Sequence, residues 1–164
     1  MFNRRGAMDV VKKEVERHAG PSAMLIVDID NLKLINDMRG HTTGDAVLAR
    51  TSEAIRSSLK EGDQCARLGD EFLIFAPGRD AAGAKDIARE ILGLLAEGMP
   101  LAGASFTVSM GIAVSDGKET DFVQMHRNAD SALHQARAEG RNRISVFQPD
   151  GTEHEPAQLA KATA

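Results

Sequence analysis

Apolar residues recur along this chain with two different periods, and the switches between them divide it into elements. In residues 5–18, Met8, Val11 and Val15 share one helical face, and Gly20-Pro21 ends that helix. Residues 23–27 (AMLIV) form an uninterrupted apolar run, read as a buried strand that stops at Asp28-Ile29-Asp30. Leu32, Ile35 and Met38 then recur at spacing three, which predicts a short helix closing near Gly40. A longer helix from about Thr43 carries Val47, Thr51, Ile55 and Leu59 at every fourth position. Residues 64–68 and 72–76 predict two strands joined by a tight turn at Gly69-Asp70. Helix fits 81–97, with Ile87, Ile91, Leu92 and Leu95 on its apolar side, and strand fits 106–114. From about Asp121, the positions Phe122, Met125, Ala129, Leu133 and Ala136 mark a helix that Gly140 closes. Residues 143–147 give a last strand.

The predicted order is helix, strand, helix, helix, hairpin, helix, strand, helix, strand. That mixture implies an α/β (α+β) domain, one sheet with helices packed against it. Neither an internal repeat nor a second domain is visible. The domain is expected over residues 1–147. Residues 148–164 are polar and alanine-rich, without a periodicity that forces structure, and are expected to form a flexible tail.

Composition narrows the class without naming it. A chain of 164 residues, 42% hydrophobic and 27% charged, is that of an ordinary globular domain able to bury a core. No apolar run approaches the ~18 residues of a membrane span, and the N-terminus has no apolar signal core, so no membrane contact by this domain is expected. The single cysteine, Cys65, excludes an internal disulfide and suits a reducing compartment, so the expected location is cytoplasmic. A net charge of −4 argues against binding DNA or RNA over the whole surface, though not against one nucleotide held by local cations.

The informative chemistry is acidic. Asp28 and Asp30 end the first strand, and Asp70 and Glu71 sit on the hairpin. If the strand end lies beside the hairpin, these carboxylates converge, and hard oxygen ligands of this kind bind magnesium together with water and phosphate oxygens. Spacing alone leaves the plainer reading open, in which these are turn residues and Asp30 caps the next helix.

The surrounding words point further. Residues 28–48 read DIDNLKLINDMRGHTTGDAVL, residues 66–72 ARLGDEF, residues 107–113 TVSMGIA and residues 129–144 ADSALHQARAEGRNRI; residues 3–5 read NRR. In this order and spacing the sequence resembles the GGDEF family of diguanylate cyclases over about residues 3–147. The family's D-x-D-x-F-K-x-x-N-D-x-x-G-H-x-x-G-D-x-x-L is matched with one change, phenylalanine to Leu32. The resemblance implies a ferredoxin-like, polymerase-palm or nucleotide-cyclase type of sheet. It also implies an enzyme that condenses two GTP into cyclic di-GMP with release of pyrophosphate.

The resemblance also assigns roles. Asp28, the backbone carbonyl of Ile29 and Asp70 are expected to hold Mg2+, with Glu71 assisting or taking the proton of the attacking 3′-hydroxyl. Asn36 and Asp45 are expected to read guanine, since an amide and a carboxylate complement its edge. Lys33, with the backbone N–H groups of Asn31 and Leu32 at a helix start, is expected to contact phosphate. Arg137 and Arg141 are assigned to the outer phosphates; the family usually has lysine at the first. His41 fits a family position and equally a capping histidine, and Gly69 is the loop glycine on the substrate side. Read without the resemblance, Asn36 is a helix-end asparagine, Asp45 a first-turn aspartate, Lys33 a solvated lysine, and the two arginines stabilise a helix C-terminus. The product is twofold symmetric, so catalysis implies a homodimer with opposed sites. A linked or partner regulatory domain is expected to control that pairing.

One departure matters. The family's loop A-R-Y-G-G-D-E-F is here one residue shorter. A deletion absorbed inside the turn keeps Asp70 and Glu71 aimed as in the family, whereas one absorbed in the strands reverses them. Upstream, the family's inhibitory product motif R-x-x-D is replaced by Lys60-Glu61-Gly62-Asp63, which is expected to bind weakly or not at all. The functional alternative to a cyclase is a catalytically weak or inactive receptor for GTP or cyclic di-GMP; a bare interaction module is the third reading.

Overall fold

The computed structural model describes residues 4–98, 101, 103–118, 120–148 and 153–156. Asn3 of the opening motif and tail residues 149–152 and 157–164 lie outside the described residues. Along the chain run α1 (Arg4–Arg17), β1 (Ser22–Ile29), α2 (Leu32–Arg39), α3 (His41–Ser58), β2 (Gln64–Leu68), β3 (Glu71–Pro77), α4 (Ala81–Glu97), β4 (Val108–Ser115), α5 (Phe122–Ala138), β5 (Arg143–Val146) and β6 (Glu153–Pro156).

Every residue of β1 is buried, and that is why its apolar run shows no alternation. It lies at the centre of a six-stranded sheet ordered β2-β3-β1-β4-β5-β6. Helices cover both faces. Leu25, Val27 and Ile29 face Val47 and Ile55 of α3 and Ile87 and Ile91 of α4. Met24 and Ile26 face Val11 and Val15 of α1 and Met125, Ala129 and Leu133 of α5. β1 runs antiparallel to both β3 and β4, while β4 and β5 are parallel. This is the ferredoxin-like, palm-type sheet expected from the sequence.

Local chemistry sets the helix ends. Asp80 accepts from Gly83 N at 2.8 Å to start α4, and Asp121 accepts from Val123 N at 3.0 Å to start α5. Close approach fixes α5 on the sheet: a Cβ at Gly111 of β4 would overlap the backbone of Ala129 and Leu133. α3 begins at His41, two residues ahead of the position read from periodicity, because Gly40 (φ 84°) both closes α2 and opens α3.

One difference from the sequence expectation lies at the far edge. Within the stretch expected as a loose tail, Glu153–Pro156 pairs antiparallel with β5. The segment EHEP has no hydrophobic alternation to announce a strand. Ladder hydrogen bonds with an open sheet edge need none, and a terminal proline is tolerated on an edge strand.

Candidate functional site

β1 and β3 are in register with Asp28 opposite Glu71, so both side chains leave the same face of the sheet. That face is the one covered by α5, and Arg137 in the last turn of α5 meets both carboxylates. Its Nη2 lies 2.6 Å from Asp28 Oδ2 and 3.4 Å from Glu71 Oε1, and its Nε donates to Asp28 Oδ2 at 3.0 Å. Both contacts with Asp28 fall on a single oxygen; Oδ1 takes no part in this pair.

Burial raises the Asp28 pKa above its ordinary value, Arg137 opposes that rise, and the charges of Glu71 and Asp70 add to it. The same burial acts to lower the pKa of Arg137, but the hydrogen bond and charge of Asp28, with Glu71 behind it, outweigh burial and raise it. The charges of Glu71 and Asp70 thus act on Asp28, and strand register sets Glu71 directly opposite it. Asp70 itself is exposed in the turn.

The hairpin is short. Leu68 pairs with Glu71, leaving Gly69 and Asp70 as a two-residue loop, with Gly69 at φ 81° where a side chain would be strained. Arg67 Nε donates to Gly69 O at 2.8 Å across it. Phe72 stays buried and Arg67 exposed, and strand pairing continues unbroken to Gln64↔Phe75.

Asp30 behaves unlike Asp28. It neither joins the carboxylate cluster nor caps α2, whose N-cap is Asn31 (φ 56°) with no side-chain cap bond. Instead it is 4% exposed and accepts from Thr107 Oγ1 at 2.6 Å, Ser109 Oγ at 2.7 Å and Asn142 N at 3.0 Å. Sequence reading missed these partners. The one available signal was the period-two pair of hydroxyls, Thr107 just before β4 and Ser109 within it.

The candidate base-reading residues lie on α2 and α3, on either side of the corner at Gly40. Asn36 accepts Gly40 N through its backbone carbonyl at 2.9 Å, while its side-chain Oδ1 is buried without a hydrogen-bond partner. Gly44 packs directly on that amide, and a Cβ there would overlap Oδ1. Asp45 follows Gly44 and is exposed; it falls beyond the first turn of α3, so a helix-dipole role does not account for it. Lys33 and His41 are exposed at the starts of α2 and α3, and the Leu32 side chain is buried beneath the start of α2. Ile29 is the last residue of β1. Arg141 is exposed at φ 63°, immediately before Asn142 at φ 51°. A groove of about 350 Å³ runs along the flank of α2 that carries Leu34 and Met38, toward Phe106, and does not include Asn36 or Asp45.

The donor set can be tested against a divalent ion. Among the described residues no group of three or more histidines, cysteines or carboxylates stands together so as to hold a metal ion. Magnesium does not require one, since one or two carboxylates with phosphate and water oxygens suffice. The guanidinium of Arg137 already stands as a cation against Asp28 and Glu71. The pair thus fits a hard cation that arrives with its own phosphate ligands.

Upstream, Asp63 is engaged within the chain. Its Oδ2 accepts Lys60 N at 2.8 Å and lies 3.7 Å from Arg79 Nη2, and its side chain is 1% exposed.

A palm-type sheet with carboxylates at the end of its central strand, facing a hairpin, defines the class of nucleotide-cyclase-like domains. Comparison with known proteins makes the assignment specific. The family model described as "Diguanylate cyclase, GGDEF domain" matches residues 1–143. The chain belongs to the GGDEF family. It is 34% identical over 135 residues to the diguanylate cyclase DgcS of Shewanella oneidensis, covering 77% of this chain and 43% of DgcS. The active GGEEF domain of a diguanylate cyclase from Vibrio cholerae superposes with TM-score 0.79 at 28% identity, over 89% of this chain and 97% of that one. The GGDEF domain of DgcB from Caulobacter crescentus in complex with c-di-GMP gives TM-score 0.80 at 25% identity, over 89% and 91%. The chain thus spans less than half the length of DgcS. No helix among the described residues is long and apolar enough to cross a membrane.

Proposed function

We propose that this domain, over residues 1–147, condenses two GTP into cyclic di-GMP. The observation that carries the reading is the register of β1 against β3, which sets Asp28 opposite Glu71 beneath Arg137. Asn36 and Asp45 orient the base, and the buried, unpartnered Oδ1 of Asn36 is an acceptor in want of a donor such as a guanine N–H. Lys33 and the amides of Asn31 and Leu32 at the start of α2 hold phosphate, with Arg137 and Arg141 on its outer oxygens. Asp28, the carbonyl of Ile29 and Asp70 would hold Mg2+, which when bound neutralises the triphosphate and polarises the attacked phosphorus.

Glu71 takes the proton from the 3′-hydroxyl as that oxygen forms a bond to the α-phosphorus of the other nucleotide. The bond to the β-phosphate breaks, and pyrophosphate leaves. Two such transfers close the ring, so two domains face one another as a homodimer. A linked or partner regulatory domain governs that encounter, in the cytoplasm. Asp63 is taken up by Lys60 N and Arg79, which argues for weak product inhibition at the Lys60–Asp63 site.

The two-residue hairpin loop favours a second reading, a nucleotide receptor with weak or no turnover, because it leaves a single glycine for a ligand to approach. A turnover assay with dimerised protein, GTP and magnesium separates the two, run beside a variant with one glycine inserted after Leu68. Cyclic di-GMP from the native chain supports the cyclase, and a rise on insertion identifies the loop as limiting. Nucleotide binding without product from either chain leaves the receptor. If neither GTP nor cyclic di-GMP binds by calorimetry, both readings fall.

A further inference from the structure

We infer that Asp30 is a positioning residue that sets Arg141 against the start of α2, an assignment that rests on the nucleotide reading above. Its carboxylate joins three segments distant in sequence. Asp30 stands between β1 and α2, and its N–H donates to Thr107 O at 2.9 Å. Thr107, just ahead of β4, and Ser109, its second residue, donate their hydroxyls to its two oxygens. Asn142 N, in the turn after α5, donates to Oδ2.

That turn needs holding. Gly140, Arg141 and Asn142 have φ of 114°, 63° and 51°, and two of the three are not glycine. Left-handed backbone is sterically unfavourable for residues with a Cβ and persists where surrounding bonds impose it. Arg141 N to Ala136 O at 3.0 Å fixes one side of Arg141, and Asn142 N to Asp30 fixes the other. On the opposite side of Asp30, Asn31 at φ 56° swings the chain into α2, which carries Lys33. One buried carboxylate therefore sets the spacing between the amide-rich start of α2 and the Arg141 side chain. With all three donors directed inward, its role is that of an acceptor rather than of a metal ligand or a free charge.

The acceptor role makes Asn and Ala behave differently. Asn can present Oδ1 to Asn142 N and its amide N–H to the Ser109 hydroxyl, which accepts as well as donates; Ala can do neither. The test is calorimetric, with magnesium, using the α,β-methylene analogue of GTP, which cannot release pyrophosphate, beside GMP, which lacks the outer phosphates. Asp30→Ala is expected to weaken the triphosphate analogue by about tenfold and GMP by less than about twofold, while Asp30→Asn stays near the native values for both. Equal losses for the two ligands in Asp30→Ala, or a loss in Asp30→Asn as large as in Asp30→Ala, would overturn the inference. If Asp30→Ala does not fold, Thr107→Val removes one donor from the same oxygen. A selective loss of the triphosphate analogue there supports the inference, and none overturns it. Native protein that binds neither ligand sinks the nucleotide reading itself. Native protein that binds both, with Asp30→Ala unchanged, sinks this inference alone.

Discussion

Arg137 lies against Asp28 with its Nη2 2.6 Å from Oδ2, joining the last turn of α5 to the end of the central strand. The same nitrogen reaches Glu71, so one guanidinium balances two carboxylates that the strand register places side by side. In this arrangement the cation is supplied by the chain itself, and any metal-bound nucleotide has to share or displace it.

Replacing Arg137 should therefore separate its two effects. In chelator, Arg137→Met is expected to lose about 1–2 kcal/mol of stability, between the values for exposed and buried pairs, because the arginine is one-third exposed and Asp28 nearly buried. Adding magnesium should raise the melting temperature of the variant more than that of the native chain, since the carboxylates then lack their own counter-charge. Equal magnesium shifts in thermal denaturation would contradict this.

The pH dependence has a defined sign. Burial, the largest cause, raises the Asp28 pKa above its ordinary value of 3.8. A carboxyl raised in the folded state favours folding while protonated, below the unfolded value, and that contribution is lost as pH climbs through the raised folded value. In chelator, the stability difference between Asp28→Asn and the native chain should therefore shift toward the variant from below pH 3.8 to neutrality. A difference that is flat with pH, or that moves the other way, refutes the assignment.

Gly44 should prove intolerant through its neighbour. A methyl group at this position overlaps Asn36 Oδ1, so Gly44→Ala has to turn the amide away. Affinity for GTP should fall by about tenfold, the worth of one good buried hydrogen bond with its desolvation, while affinity for ATP changes little. Competition binding with both nucleotides measures this, and unchanged preference for guanine would exclude Asn36 as its reader.

Gly111 tests the seat of α5. An added Cβ there runs into the backbone of Ala129 and Leu133, which cannot rotate aside. Gly111→Ala should cost about 3 kcal/mol, the upper end of overpacking, and should loosen Arg137 from Asp28. Denaturant titration gives the first quantity; a midpoint close to the native one would show that the helix can shift at little cost.

Much of this molecule is written locally. Apolar runs, periodicity and turn residues together place ten of the eleven elements read from the backbone, because a strand buried on both faces and a helix buried on one leave different spacings of apolar residues. The missed element, β6, is held by backbone bonds to an edge and leaves no side-chain trace. The words around Asp28, Asp45 and Asp70 carry the family, and the family model bears that out.

What the order of residues could not decide is which of two similar aspartates does what. Asp28 and Asp30 stand two apart, with the same charge and the same place at a strand end. One meets Arg137, 109 residues away; the other meets Thr107, Ser109 and Asn142, at separations of 77, 79 and 112. Periodicity and propensity act over a few residues, whereas hydrogen-bond partners for a buried carboxylate are supplied by whatever the sheet order and the seat of α5 bring near. Only the packed sheet, by bringing Arg137 to the one and Thr107, Ser109 and Asn142 to the other, determines where each side chain ends.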